Sequence, residues 1–69
     1  MSSGKYLIEI GQKIRTIRKE KGIPIQKAAA MAGTYKSSLS DIENGKMNSK
    51  ILTLQRLAEV LNVDIKDFL

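Results

Sequence analysis

Apolar residues recur along this chain at helical spacing, and their phase predicts most of its elements. At about 100° per residue, Leu7, Ile10, Ile14 and Ile17 share one stripe of a helix expected over Tyr6–Lys21. Gly11 falls on the margin of that stripe, and Lys13, Arg15 and Lys19 fall elsewhere. Arg18 breaks the pattern: it projects within roughly 40° of Ile14, on the apolar side. Two fates are open to it, a partner of opposite charge or a stem that runs along the helix edge into water. Lys21-Gly22 ends the helix with a cation in the last turn and glycine beyond it. Pro24 belongs in the first turn of a second helix, where its missing N–H does no harm. Ala28 to Ala32 then combine high helix propensity with little bulk, as close packing of two helices requires.

A third helix is expected over Lys36–Asn44, with Leu39 and Ile42 one turn apart and directed inward. Ile51, Leu54, Leu57, Ala58 and Leu61 mark one face of a fourth, Ile51–Leu61, which Ser49 is placed to cap and Asn62 to end in the left-handed region. Asp64 caps a last short helix, Ile65–Phe68, with Asp67 three residues on completing a capping box. Capping accounts for both aspartates without a metal. Val63, Ile65, Phe68 and Leu69 are more apolar than a chain end needs, and either close the core or form part of a dimer contact. Residues 1–5 are expected to be a flexible N-terminal stretch and residues 6–69 a single domain.

Composition narrows the chemistry. The chain has 69 residues, near the lower limit at which a hydrophobic core alone holds a fold, so dimerisation would help. It contains no cysteine and no histidine, which removes a disulfide framework, thiolate metal sites, the commonest general base and the commonest zinc ligand. No cofactor is expected. Neither a phosphate-binding glycine loop nor a catalytic triad is present, and an enzyme is not expected. The apolar runs are far too short for a membrane span, so the expected location is the cytoplasm. The charge is unevenly placed. Residues 1–50 carry ten Lys/Arg against four Asp/Glu, while residues 51–69 carry two against three. One end of the domain therefore presents a cationic surface suited to a polyanion.

The stretch Ile25–Gly45, IQKAAAMAGTYKSSLSDIENG, organises the rest. Ala29, Gly33, Leu39 and Ile42 follow at intervals of four, six and three residues. A small residue at Ala29 lets a second helix cross nearby, and Gly33 supplies the left-handed backbone between the two helices. With LSDIENG following it and LQRLAEVLNVDIKDFL closing the chain, this stretch resembles the helix-turn-helix of phage-repressor or Cro-type (XRE family) DNA-binding domains. The resemblance covers roughly residues 8–69. It implies an all-α, lambda-repressor-like bundle of about five short helices, with the helix-turn-helix at helices 2 and 3 and the third helix entering the major groove. It also implies that Glu43 pairs with the arginine of the first helix, here Arg18. The helical angles bring the same two residues to the buried side.

On this pattern Lys36, Ser37, Ser40 and Asp41 face the bases. Small polar side chains let a helix lie deep in a groove, and serine can donate or accept at several base edges. Asp41 has two open roles, accepting from a cytosine amine or holding Lys36 or a partner's side chain. The family has Ser or Thr and then Gln where this chain has Pro24 and Ile25, so the phosphate contact at that helix start passes to Gln26 or Lys27. Tyr35, at a cap position, can reach phosphate through its hydroxyl. Asn44, Lys46, Asn48 and Lys50 supply donors and charge in the loop beyond, and such contacts set register without reading sequence.

The expected function is that of a transcriptional regulator, a repressor in kind, acting as a homodimer on a palindromic double-stranded operator. The alternative is a protein-interaction module on the same fold, such as an antitoxin or a coregulator. Tyr35, Ile25 and Asp41 leave room for it.

Overall fold

The computed structural model describes residues 2–69. Four α-helices and one 3-10 turn follow in order: α1 Ser2–Glu20, α2 Ile25–Met31, α3 Lys36–Glu43, α4 Ile51–Leu61 and the turn Ile65–Asp67. The fifth expected helix is thus a single tight turn. Its bonds run from Asp67 N–H to the Asp64 carbonyl, Phe68 to Ile65 and Leu69 to Lys66. Phe68, which follows this turn, is fully buried. Of the stretch 1–5 set apart in the sequence, residue 1 lies outside the described residues and Ser2 to Lys5 have helical backbone, so α1 begins ahead of the expected Tyr6. Farther along, the backbone of Ile8 packs against Gly45 and secures this end of the helix.

The core is built from the inward stripes of all four helices. Ile14, Leu39, Leu57 and Phe68 are fully sealed from solvent, with Ile42, Leu54 and Leu61 around them. Ala28, Ala29 and Ala32 are buried too, and their small side chains let α2 approach α3 and α4. Ile10, Ile17, Ile23 and Val63 close the margins. The Cα radius of gyration is 10.7 Å, close to the roughly 11 Å of a folded chain this long.

Each α-helix ends in the same way. At the end of α2, Gly33 N–H donates to the Ala30 carbonyl and Thr34 N–H to that of Ala29. Gly33 takes φ 74°, the left-handed conformation this double bond needs. At the end of α3, Gly45 (φ 72°) donates to Ile42 and Lys46 to Asp41. Gly22 and Asn62 occupy the equivalent places after α1 and α4, Asn62 with φ 57°.

The starts are less regular. Pro24 is the residue that precedes α2, one position earlier than expected, and its carbonyl accepts from Ala28 N–H. Tyr35 and Lys50 precede α3 and α4, and none of the three supplies a side-chain cap. Ser49 does not cap α4. It stands one residue too early, and its buried hydroxyl has no hydrogen-bond partner. Asp64 and Asp67 form the capping box: Asp64 Oδ1 accepts from Lys66 N–H at 3.1 Å, and Asp67 Oδ2 accepts from Asp64 N–H at 3.2 Å.

Candidate nucleic-acid interface

The orientation of α3 follows from its two apolar residues. Leu39 is 0% exposed and Ile42 4%, which rolls the opposite side of this eight-residue helix outward. Lys36 and Ser37 are exposed there, while Ser40 and Asp41 are half-buried along the flank. Tyr35 is 79% exposed. Because it caps nothing, the first N–H groups of α3 are left without a side-chain acceptor.

Behind α3 lies a charged cluster. Arg18 Nε donates to Glu43 Oε2 at 2.7 Å and Arg18 Nη2 to Glu43 Oε1 at 3.1 Å, a two-point contact between planar groups. Glu43 is 2% exposed and Arg18 9%. A third Arg18 donor, Nη1, meets the Ile23 carbonyl at 2.9 Å, so the guanidinium also ties the α1–α2 link to the end of α3. This satisfies both buried charges, which is the condition for tolerating them.

Arg15, which the hydrophobic pattern does not single out, joins the cluster. Its Nε donates to Glu43 Oε1 at 3.3 Å, and its Nη2 donates to Asn44 Oδ1 at 2.8 Å. Arg15 precedes Arg18 by three residues, so the two share one helix face. That spacing is the signal in the sequence that could have found it. Asn44 in turn donates from Nδ2 to the Ser40 carbonyl at 2.9 Å, with Ser40 Oγ 3.4 Å away. The Asn44 side chain is therefore engaged within the domain at both ends of its amide, although the residue is exposed.

Asp41 forms no ion pair with Lys36 among the described residues, so that intramolecular role is not adopted; its backbone carbonyl instead accepts from Lys46 N–H. Lys46, Asn48 and Lys50 are exposed in the loop after α3. Asn48 and Lys50 line an open groove with Thr34, Ser38 and Thr53, which brings them to the flank of α3. Gln26 and Lys27 are exposed in the first turn of α2 and are held by no side-chain hydrogen bond among the described residues. Four lysines, at 27, 36, 46 and 50, thus stand exposed on the segments around α3, from the start of α2 to the loop after α3. Among the described residues, no helix is long and apolar enough to cross a membrane.

Two helices joined by a tight glycine turn, the second with an apolar back and a polar front, constitute a helix-turn-helix. The chain belongs to the HTH_3 helix-turn-helix family, whose pattern it matches over residues 14–68. It is 43% identical over 61 residues to the HTH-type transcriptional regulator SinR of Bacillus subtilis, an alignment that covers 87% of this chain and 55% of SinR. The chain thus spans about half the length of that relative. Among solved structures, it superposes with a TM-score of 0.89 on the restriction-modification controller protein C.AhdI from Aeromonas hydrophila, at 25% identity, covering 91% of this chain and 96% of that one. It is also similar to SinR, the master regulator for biofilm formation, crystallised in complex with DNA: TM-score 0.79, 42% identity, 86% of this chain and 95% of that one. These relatives are transcriptional regulators and controller proteins, a non-enzymatic group.

Proposed function

We propose that this domain is a sequence-specific double-stranded DNA-binding regulator of transcription, acting in the cytoplasm as a homodimer on a two-fold related operator and repressing by occupying the promoter. One observation carries the reading. Leu39 and Ile42 are sealed against the bundle while Lys36 and Ser37 stand exposed on the other side of the same helix. A narrow polar helix held outward by its apolar back can enter the major groove, where base edges carry a full donor and acceptor code. The likeness to SinR, whose structure in complex with DNA is known, supports the same placement.

In this reading Lys36, Ser37, Ser40 and Asp41 face base edges. Gln26, Lys27, Tyr35, Asn44, Lys46, Asn48 and Lys50 attend to the sugar-phosphate backbone. Arg18, Ala29, Gly33, Leu39, Ile42 and Glu43 hold the scaffold. A dimer presents two such helices, so its half-sites are centred about one helical turn apart.

Selection of bound duplexes from a random pool, followed by sequencing, tests the proposal in one experiment. Enrichment of an inverted repeat with that spacing is the expected result. Recovery of no preferred duplex would overturn it and favour the protein-interaction module on the same fold.

A further inference from the structure

We infer that Arg15, on the first helix rather than in the helix-turn-helix, is a phosphate-binding residue of the DNA interface, its guanidinium held ready by Glu43 and Asn44. The inference rests on the reading of α3 as the recognition helix and adds a contact to that same site.

Charge balance is the first argument. Glu43 is the one carboxylate paired with Arg15 and Arg18 among the described residues, so the three side chains together carry one positive charge in excess. The two arginines differ in where that excess can lie. Arg18 is buried and spends Nε and Nη2 on Glu43 and Nη1 on the Ile23 carbonyl. The Arg15 side chain is 40% exposed, so the unbalanced charge meets solvent through Arg15. One turn away from it on α1 stand Gly11, Gln12, Arg18 and Lys19, none of them acidic. A polyanion is the complementary ligand.

The second argument is geometric. Arg15 Nε meets Glu43 Oε1 at 3.3 Å and Nη2 meets Asn44 Oδ1 at 2.8 Å, contacts that fix the plane of the guanidinium from behind. Among the described residues, Nη1 donates to no protein group. An arginine carries five N–H groups, and two of these are engaged here, which leaves three for a ligand. The Nη1 and Nη2 ends each keep a proton to offer to phosphate oxygens, the two-point contact that a lysine ammonium cannot reproduce. Because the side chain is already held, less rotamer freedom is lost on binding.

Position is the third. Asn44 follows directly on α3 and is exposed, and its Nδ2 donates to the Ser40 carbonyl at 2.9 Å. The Arg15 guanidinium therefore sits at the C-terminal end of the helix assigned to the groove, where DNA strands would pass. Asn44 serves the sugar-phosphate backbone by holding this guanidinium.

The test uses the duplex selected by the wild type, synthesised with a single neutral methylphosphonate in place of one phosphate at each position in turn. Arg15→Met is compared with the wild type after thermal melting has shown it folded at the assay temperature; if it is not, Arg15→Gln replaces it. The variant should bind every unmodified duplex at least roughly tenfold more weakly, with base preference unchanged. Its salt slope should be shallower by about one for each phosphate no longer neutralised. At one position in each half-site the methylphosphonate should weaken the wild type and leave the variant unaffected. A merely structural arginine would leave the variant as sensitive as the wild type at every position, and that result would overturn the inference. So would affinity and salt slope equal to those of the wild type. Failure of the wild type to select any duplex would instead overturn the proposed function beneath it.

Discussion

Gly11 of α1 lies backbone to backbone against Glu43 of α3: a Cβ on Gly11 would fall 2.6 Å from the Glu43 carbonyl oxygen and 2.8 Å from its carbonyl carbon. Gly11 is buried, and the atoms facing it belong to the chain itself, so no side-chain rotation relieves the clash. Gly11→Ala should force α1 and α3 apart and destabilise the domain by about 2–3 kcal/mol, within the usual range for overpacking. In a domain this small the melting temperature should fall by more than about 10 °C. Thermal denaturation followed by circular dichroism checks it, and an unchanged melting temperature would mean that the two helices do not meet there.

The Arg18–Glu43 pair should be costly to break and cheap to replace. Removing one partner, as in Arg18→Met, leaves the Glu43 carboxylate buried with only Arg15 beside it, a loss of about 3–5 kcal/mol. The double variant Arg18→Met/Glu43→Leu removes both charges and should recover most of that loss. Urea denaturation of the two singles and the double measures the coupling directly. Additive losses would show that the pair is not a unit.

Ser49 makes the opposite prediction. Its buried hydroxyl lacks a partner, so it gives the folded state nothing in exchange for the water it gives up. Ser49→Ala should leave the protein equally stable or stabilise it by up to about 1 kcal/mol. A loss above about 1 kcal/mol in the same urea assay would mean that the hydroxyl is bonded after all.

The exposed lysines and the exposed serine should separate in their effects on DNA. If a dimer neutralises about eight phosphates, the logarithm of affinity should fall against the logarithm of salt concentration with a slope near −7. Lys46→Ala or Lys50→Ala should weaken all duplexes alike and make that slope shallower, by about one for each phosphate no longer neutralised. Ser37→Ala should leave the slope intact and alter which duplex is preferred. Binding titrations at several salt concentrations, on the selected duplex and on a scrambled one, distinguish these results.

Helical phase makes much of this molecule readable in advance. The burial of Leu39, Ile42, Ile14, Arg18 and Glu43 follows from angular position, because a regular helix carries orientation unchanged over several turns, while the pairing of Arg18 with Glu43 follows from the family resemblance. Gly33 and Asn62 are readable from local backbone chemistry. The path of the loops is not. The side chain of Ser49 is suited to capping α4, but Lys50 occupies the boundary and Ser49 turns inward. The Arg15–Asn44–Ser40 chain is hidden for a related reason. It depends on the side-chain reach of two helices and on the turn after α3, none of which a hydrophobic pattern encodes. Likewise, Asp64 and Asp67 reveal a cap but not that the turn they start is 3-10 rather than α-helical.

The matching hydrogen-bond pairs after all four α-helices carry a kinetic consequence. Each reversal of direction is specified by a few neighbouring residues, so a nascent chain can set its corners before distant segments meet. What remains is the docking of α1 against α3 and of α2 against α3 and α4, and small all-helical domains of this kind reach the native state in microseconds to milliseconds.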